Sequence, residues 1–144
     1  MMSHPKSGKK IMAFGVFDRL HPGHISFLEQ AAQFGDELVV VVARDSIVQE
    51  LKKKNPAQPQ DIRVSRVACV HGVTHAILGD QECGSWNIVA AHKPDIICLG
   101  YDQQGIKKDI EIRMSTGLLP QIKVVIARAH EPDTCHSSLF STML

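Results

Sequence analysis

The chain predicts an α/β fold: a single Rossmann-like, doubly wound parallel sheet of five strands with helices on both faces. Three observations carry the prediction. Strand-like apolar runs alternate with amphipathic helix-like runs, and that alternation implies parallel strands joined by right-handed helical crossovers. One run, Leu38-Val39-Val40-Val41-Val42, is apolar at every position, as in a strand covered on both faces. The length, 144 residues, suits one core rather than two.

The first residues are polar and basic and lack an apolar segment, so residues 1–9 read as a flexible tail and 10–144 as one domain. Ile11–Phe17 is strand-like, and His24–Phe34 is helical with Ile25, Leu28, Ala31 and Ala32 on one face. Gly35-Asp36 breaks that helix before the strand Glu37–Ala43. Ser46–Leu51 forms a short helix, followed by Lys52-Lys53-Lys54 and a loop with two prolines. Ile62–His71 is helical, and Ala76–Leu78 is a short strand closed by Gly79-Asp80. Ser85–His92 is a helix with Ser85 as its N-cap. Ile96–Leu99 is a central strand ended by Gly100, Ile106–Thr116 a helix, Lys123–Ala127 a last strand and Ser138–Leu144 a short terminal helix.

Composition excludes several functions. Net charge is +1 and aromatic content 5%, which supplies neither the basic field nor the stacking platforms of a nucleic-acid binder. No apolar run reaches the roughly 20 residues of a membrane span. The cysteines Cys69, Cys83, Cys98 and Cys135 form no CxxC pair and read as reduced thiols of a cytoplasmic protein.

Chemistry concentrates between residues 15 and 24, Gly-Val-Phe-Asp-Arg-Leu-His-Pro-Gly-His. The layout is a strand, a tight turn and a helix N-terminus. Gly15 and Gly23 carry no Cβ and let backbone approach a ligand. Pro22 and Gly23 punctuate the turn ahead of a helix that opens near His24. The N–H groups and dipole of that helix attract phosphate, and His21 and His24 add cationic donors. A zinc pair is the rival reading of these histidines. It fails on Pro22-Gly23, expected to interrupt helical spacing, and on the lack of a third ligand at recognisable spacing. In doubly wound sheets ligands sit beyond the strand carboxyl ends, where Gly15–His24 and Gly100–Gln103 both fall.

Gly15-x-Phe17-Asp18-x-x-His21-x-Gly23-His24 resembles the GxFDxxHxGH signature of the cytidylyltransferase-like nucleotidyltransferases. The stretches Phe34–Leu38, Val42–Asp45, Ile77–Asp80 and Lys93–Gln103 resemble the small FAD synthases of archaeal type. Glycerol-3-phosphate cytidylyltransferases are close cousins. The resemblance covers nearly the whole chain after the tail. It implies transfer of a nucleotidyl group from ATP or CTP to a phosphomonoester with release of pyrophosphate, best matched by FMN adenylyl transfer. Glycerol 3-phosphate, a sugar phosphate or a phosphonate are alternative acceptors, and a catalytically silent nucleotide-binding module is the alternative of another class.

The resemblance also implies roles. His21 and His24 are catalytic, donating to phosphate oxygens. Gly15, Val16, Phe17, Pro22, Gly23, Gly100, Asp102, Ser137 and Ser138 bind nucleotide. Asp18, Lys54 (as one of Lys52–Lys54) and Arg63 bind acceptor or phosphate, Arg63 on the acceptor phosphate. Magnesium enters as the metal complex of the triphosphate, with no dedicated protein metal site. Relatives are commonly homodimers, and the helix Ile106–Leu118 offers an apolar face for one. Val16 stands where threonine is frequent, and no arginine occupies 130–136 ahead of the serine pair. These departures bear on nucleotide preference rather than on reaction class.

Overall fold

The structure is a computed structural model, and it describes residues 8–81, 86–101 and 103–128. Its elements run β1 (Lys10–Gly15), α1 (Pro22–Ala32), β2 (Glu37–Val42), α2 (Asp45–Lys52), α3 (Gln60–Ala68), β3 (His75–Leu78), α4 (Asn87–His92), β4 (Ile96–Leu99), α5 (Gln104–Ser115) and β5 (Lys123–Ile126). The five strands form one sheet in the order β3-β2-β1-β4-β5, and every pairing is parallel. Strand order reverses beside β1, the first strand of the chain and the middle one of the sheet.

Pleating sends alternate side chains to opposite faces, so two cores form. Ile11, Ala13, Leu38 and Val40 pack with Leu28 and Ala31 of α1 and Val67 of α3. Met12, Val39 and Val41 pack on the other face with Val89 of α4 and Ile110 of α5. This explains the unbroken apolar run of β2, whose residues Leu38 to Val42 are all buried: neither face of it meets water. Burying each such side chain contributes roughly 1.5–3 kcal/mol.

The elements differ from the sequence expectation mainly at their ends. β1 stops at Gly15 rather than Phe17, because Phe17 takes φ 54, a left-handed conformation outside the strand region. Helix α1 starts two residues earlier than expected, at Pro22. The expectation that Pro22-Gly23 interrupts helical spacing is therefore corrected. Proline at the first helical position gives up an N–H that has no helical partner anyway. Helix α4 begins at Asn87; Ser85 and the segment Ser138–Leu144 lie outside the described residues. Lys9, assigned to the tail, is already held, since its carbonyl accepts from the Asp36 and Glu37 amides at 2.9 and 3.2 Å.

Among the described residues no helix is long and apolar enough to cross a membrane. Cys69 is exposed and Cys98 buried, both as free thiols. Burial in β4 pushes the Cys98 thiol up to about 12.

Candidate active site

The sequence from Gly15 to His24 builds a compact turn in which each ring sets the next. The left-handed backbone of Phe17 folds its ring back over Gly15. A Cβ on Gly15 would lie 2.7 Å from that ring, so glycine is required there by a neighbouring side chain as well as by any ligand. The Phe17 ring is 1% exposed and meets the His24 ring edge-on, with centroids 5.4 Å apart. Holding a non-glycine residue at such a φ costs about 1–3 kcal/mol, which this packing offsets.

The histidines form the start of α1. His21 is the N-cap, and His24 stands three residues on in a reciprocal capping box. Nδ1 of His21 accepts from the Gly23 and His24 amides at 3.0 and 3.4 Å. Nδ1 of His24 accepts from the His21 amide at 3.3 Å. The two rings stack with centroids 3.7 Å apart. Gly23 makes room for this, because a Cβ there would lie 2.9 Å from Cε1 of His21.

These caps fix the tautomers. A nitrogen that accepts an amide proton carries none itself, so the hydrogen-bond network places the proton of each neutral ring on Nε2. His24 is 5% exposed, and its Nε2 is buried with no hydrogen-bond partner among the described residues. Burial, seconded by the neighbouring His21, lowers His24 from 6.5 to about 4; Asp18 pulls it up and Lys52 down. His24 is thus neutral at pH 7, and the expectation of cationic donors is corrected for it. It offers a directed N–H bond, and the positive potential comes from the helix N-terminus and Lys52.

Several expected phosphate ligands are placed differently. Of the three lysines, Lys52 is the last residue of α2 and the one whose charge acts on His24, whereas Lys54 is exposed in the following loop. Asp18 accepts from the Ala57 and Gln58 amides at 2.7 and 2.9 Å, so its carboxylate holds the α2–α3 loop. Arg63 is fully buried. Its guanidinium donates to the carbonyls of Gln58 (2.9 Å), Val16 (2.9 Å) and Ala43 (2.8 Å) and to the Asp45 carboxylate (2.6 Å). Four of its five N–H donors are thus engaged by protein, and in this structure Arg63 ties segments of the chain together.

Gly100 is buried at the end of β4, and its amide donates to the Gln103 side chain at 2.7 Å. Gln103 in turn donates to the Phe14 carbonyl at 3.1 Å. This buried glutamine ties the ends of β4 and β1 together across the switch point. Its type and its place after a strand were visible in the sequence, yet its partner Phe14 is too distant along the chain to be read. Asp102, Ser137 and Ser138 lie outside the described residues. Among the described residues, no group of three or more metal-ligating side chains forms.

A cavity of about 450 Å³ opens on the other face of the sheet and shares Gly15 and Val16 with the histidine turn. Its walls include Phe14, Ile47, Leu51, Trp86, Ile88 and Ile106. Trp86 forms one wall, edge-to-face with Phe14 at 5.8 Å. Asp109 accepts from its indole N–H at 2.5 Å. Asp80, at the same cavity, accepts from the Ile88 amide at 3.2 Å.

Comparison with known proteins agrees with this fold. Residues 12–142 match the family model described as cytidylyltransferase-like. An FAD synthase of Archaeoglobus profundus is 40% identical over 90% of this chain and 81% of that protein. An FAD synthase of Aciduliprofundum boonei is 51% identical over 71% of this chain and 67% of that protein. Among solved structures, the lipopolysaccharide core biosynthesis protein of Thermoplasma volcanium superposes with a TM-score of 0.73 at 38% identity, over 87% of this chain and 98% of that one. A pantoate-beta-alanine ligase of Francisella tularensis shares the fold alone, with a TM-score of 0.57 at 14% identity, over 88% of this chain and 62% of that one.

Proposed function

Since the chain belongs to the cytidylyltransferase-like family, we propose that it is an FMN adenylyltransferase, joining ATP and FMN to give FAD and pyrophosphate. The observation that carries this reading is the pair of capped histidines at the α1 N-terminus, beside an apolar cavity. The similarity to FAD synthases supports the choice of substrates.

In the proposed reaction a phosphate oxygen of FMN attacks the α-phosphorus of ATP. The bond from that phosphorus to the oxygen bridging the α- and β-phosphates breaks, and the electron pair leaves with pyrophosphate. The attacking group is already anionic, so no protein nucleophile or strong base is needed. What remains is alignment and charge stabilisation. Nε2–H of His24, aimed and neutral, donates to the α-phosphate or the departing oxygens. His21 presents its Nε2 from the same stack. The N-terminal amides of α1 and the Lys52 ammonium supply positive potential. Magnesium comes with the triphosphate as part of the substrate, held by phosphate oxygens.

The cavity bears on the acceptor. A planar, largely apolar ring system suits walls of Phe14, Trp86 and aliphatic side chains. Glycerol 3-phosphate has no ring to fill such a cavity, and this favours FMN as the acceptor. A homodimer also belongs to the reading, since Ile112 and Leu118 are 58% and 70% exposed; sedimentation of the purified protein tests it.

The deciding experiment measures pyrophosphate release with magnesium, crossing ATP and CTP against FMN, glycerol 3-phosphate, sugar phosphates and small phosphonates. Release with ATP and FMN, accompanied by FAD, is the expected outcome. Release with CTP and glycerol 3-phosphate overturns the substrate assignment. Nucleotide binding in a calorimeter without turnover on any acceptor favours the silent binding module.

A further inference from the structure

Arg63 of α3 is a fully buried arginine whose partners belong to three different segments at the carboxyl edge of the sheet. The Val16 carbonyl lies in the β1–α1 turn, Ala43 and Asp45 follow β2, and Gln58 lies in the α2–α3 loop. Sequence separations of 47 to Val16 and 20 to Ala43 mean that no local turn could hold these carbonyls together. The guanidinium is a planar fork of five donors, and here it works as a bracket.

Two chains of contact lead from that bracket to the groups named above. The first runs through Val16. Because the peptide unit is planar and trans, a carbonyl held toward Arg63 turns the Phe17 amide the opposite way. Phe17 follows at φ 54, and its buried ring sets the edge against which His24 rests. The second runs through Asp45, the first residue of α2. Its carboxylate takes the Arg63 bond at 2.6 Å and a weaker one from the Gln60 amide at 3.3 Å, while the Asp45 amide donates to the Gln60 side chain at 2.8 Å. The same α2 ends in Lys52. Asp18 closes the frame by holding the Ala57 and Gln58 amides.

We propose that Arg63 is a positioning residue: by clamping the ends of β1 and β2 and the α2–α3 loop, it sets where His24 and Lys52 stand, and it touches neither substrate. The proposal rests on the adenylyltransferase reading for its kinetic consequence but not for its structural one. A displacement of about 1 Å at a reacting centre costs on the order of 10²-fold in rate, so loss of the bracket should appear in kcat.

The test is Arg63→Lys, which keeps one charge and loses the fork, together with Asp45→Asn, which keeps the shape and loses the charge partner. Each is assayed for ATP and FMN turnover well below its own Tm. In parallel, long-range proton–nitrogen NMR of the ligand-free protein reads the ring nitrogens of His24. For Arg63→Lys the expected result is a kcat lowered roughly 10²-fold with both KM values within about threefold of the parent. Displaced His24 ring signals should accompany it, with a smaller change of the same kind for Asp45→Asn. If Arg63→Lys does not fold, Asp45→Asn decides by the same criteria. A raised KM for FMN with kcat retained would show that Arg63 contacts the acceptor, and would overturn the proposal. So would a folded variant with unchanged kcat and unchanged ring signals. Should the parent itself make no FAD, the adenylyltransferase reading fails, and the NMR comparison alone still confirms or refutes the bracket.

Discussion

His24 gives a prediction whose size follows from its environment. Its pKa falls from 6.5 to about 4, chiefly through burial, then through His21 and Lys52 against the pull of Asp18. Between those two values the unfolded chain binds a proton that the folded chain refuses. Stability from this group is therefore complete above the unfolded pKa and is lost as pH falls through the folded one. Each unit corresponds to about 1.4 kcal/mol, so moving from near pH 7.5 to about pH 5 should remove roughly 2 kcal/mol. The informative variant is His24→Gln. Glutamine at this position of a capping box still accepts from the N-cap amide, but it does not titrate. Urea unfolding of parent and variant at both pH values, at fixed ionic strength, yields a difference of differences in which the histidines remote from the His21–His24 stack cancel. The parent should lose about 2 kcal/mol more than the variant. If the two proteins lose stability in parallel, His24 is not held neutral by the fold, and the tautomer assigned to it loses its support.

Other expectations concern single contacts. His21→Ala should lower kcat by roughly 10²–10³ and stability by about 1 kcal/mol through the lost cap, with circular dichroism unchanged; near-parental turnover would remove it from the mechanism. Leu51→Asp, at an exposed position on the rim of the cavity, should raise the KM for FMN about tenfold and leave that for ATP alone, a 1.4 kcal/mol effect. Equal changes in both would place the ring elsewhere. Asp18→Ala removes the bonds to the Ala57 and Gln58 amides and should cost about 1 kcal/mol in urea unfolding; no change would mean the α2–α3 loop is held without it.

Much of this architecture could be read from the chain because it is local. The apolar run of β2 and the strand–turn–helix order around Gly15–His24 depend on neighbours a few residues apart. Arg63 could not be read that way. A guanidinium on an amphipathic stretch looks like a surface group until folding brings the Val16 and Ala43 carbonyls to it. The lysines posed the same problem: Lys52 and Lys54 are equivalent in sequence, and only the end of α2 separates the one that acts on His24 from the one in the loop. The glycines of the signature were read as room for a ligand, and Gly15 and Gly23 also make room for Phe17 and His21. For Gly15 that second reason follows from the positive φ of Phe17, which no propensity announces for a phenylalanine, and for Gly23 from the His21 cap.

The placement of β1 at the centre of the sheet has a consequence for how the chain is made. On one side Ile11 pairs with Leu38, and on the other it must wait for Ile96. Closing the second, roughly threefold longer loop costs only about 1 kcal/mol more in chain entropy, so the equilibrium hardly notices the difference. A growing chain does. While it emerges from the ribosome, β1, β2 and β3 are complete before β4 is translated, and the bare edge of β1 faces outward together with the apolar surface that α4 and α5 will later cover. Such an edge is a template for another chain. For this protein the hazardous interval is therefore set by the time needed to synthesise the stretch from β3 to β5, and slowing translation there should increase aggregation without altering the finished enzyme.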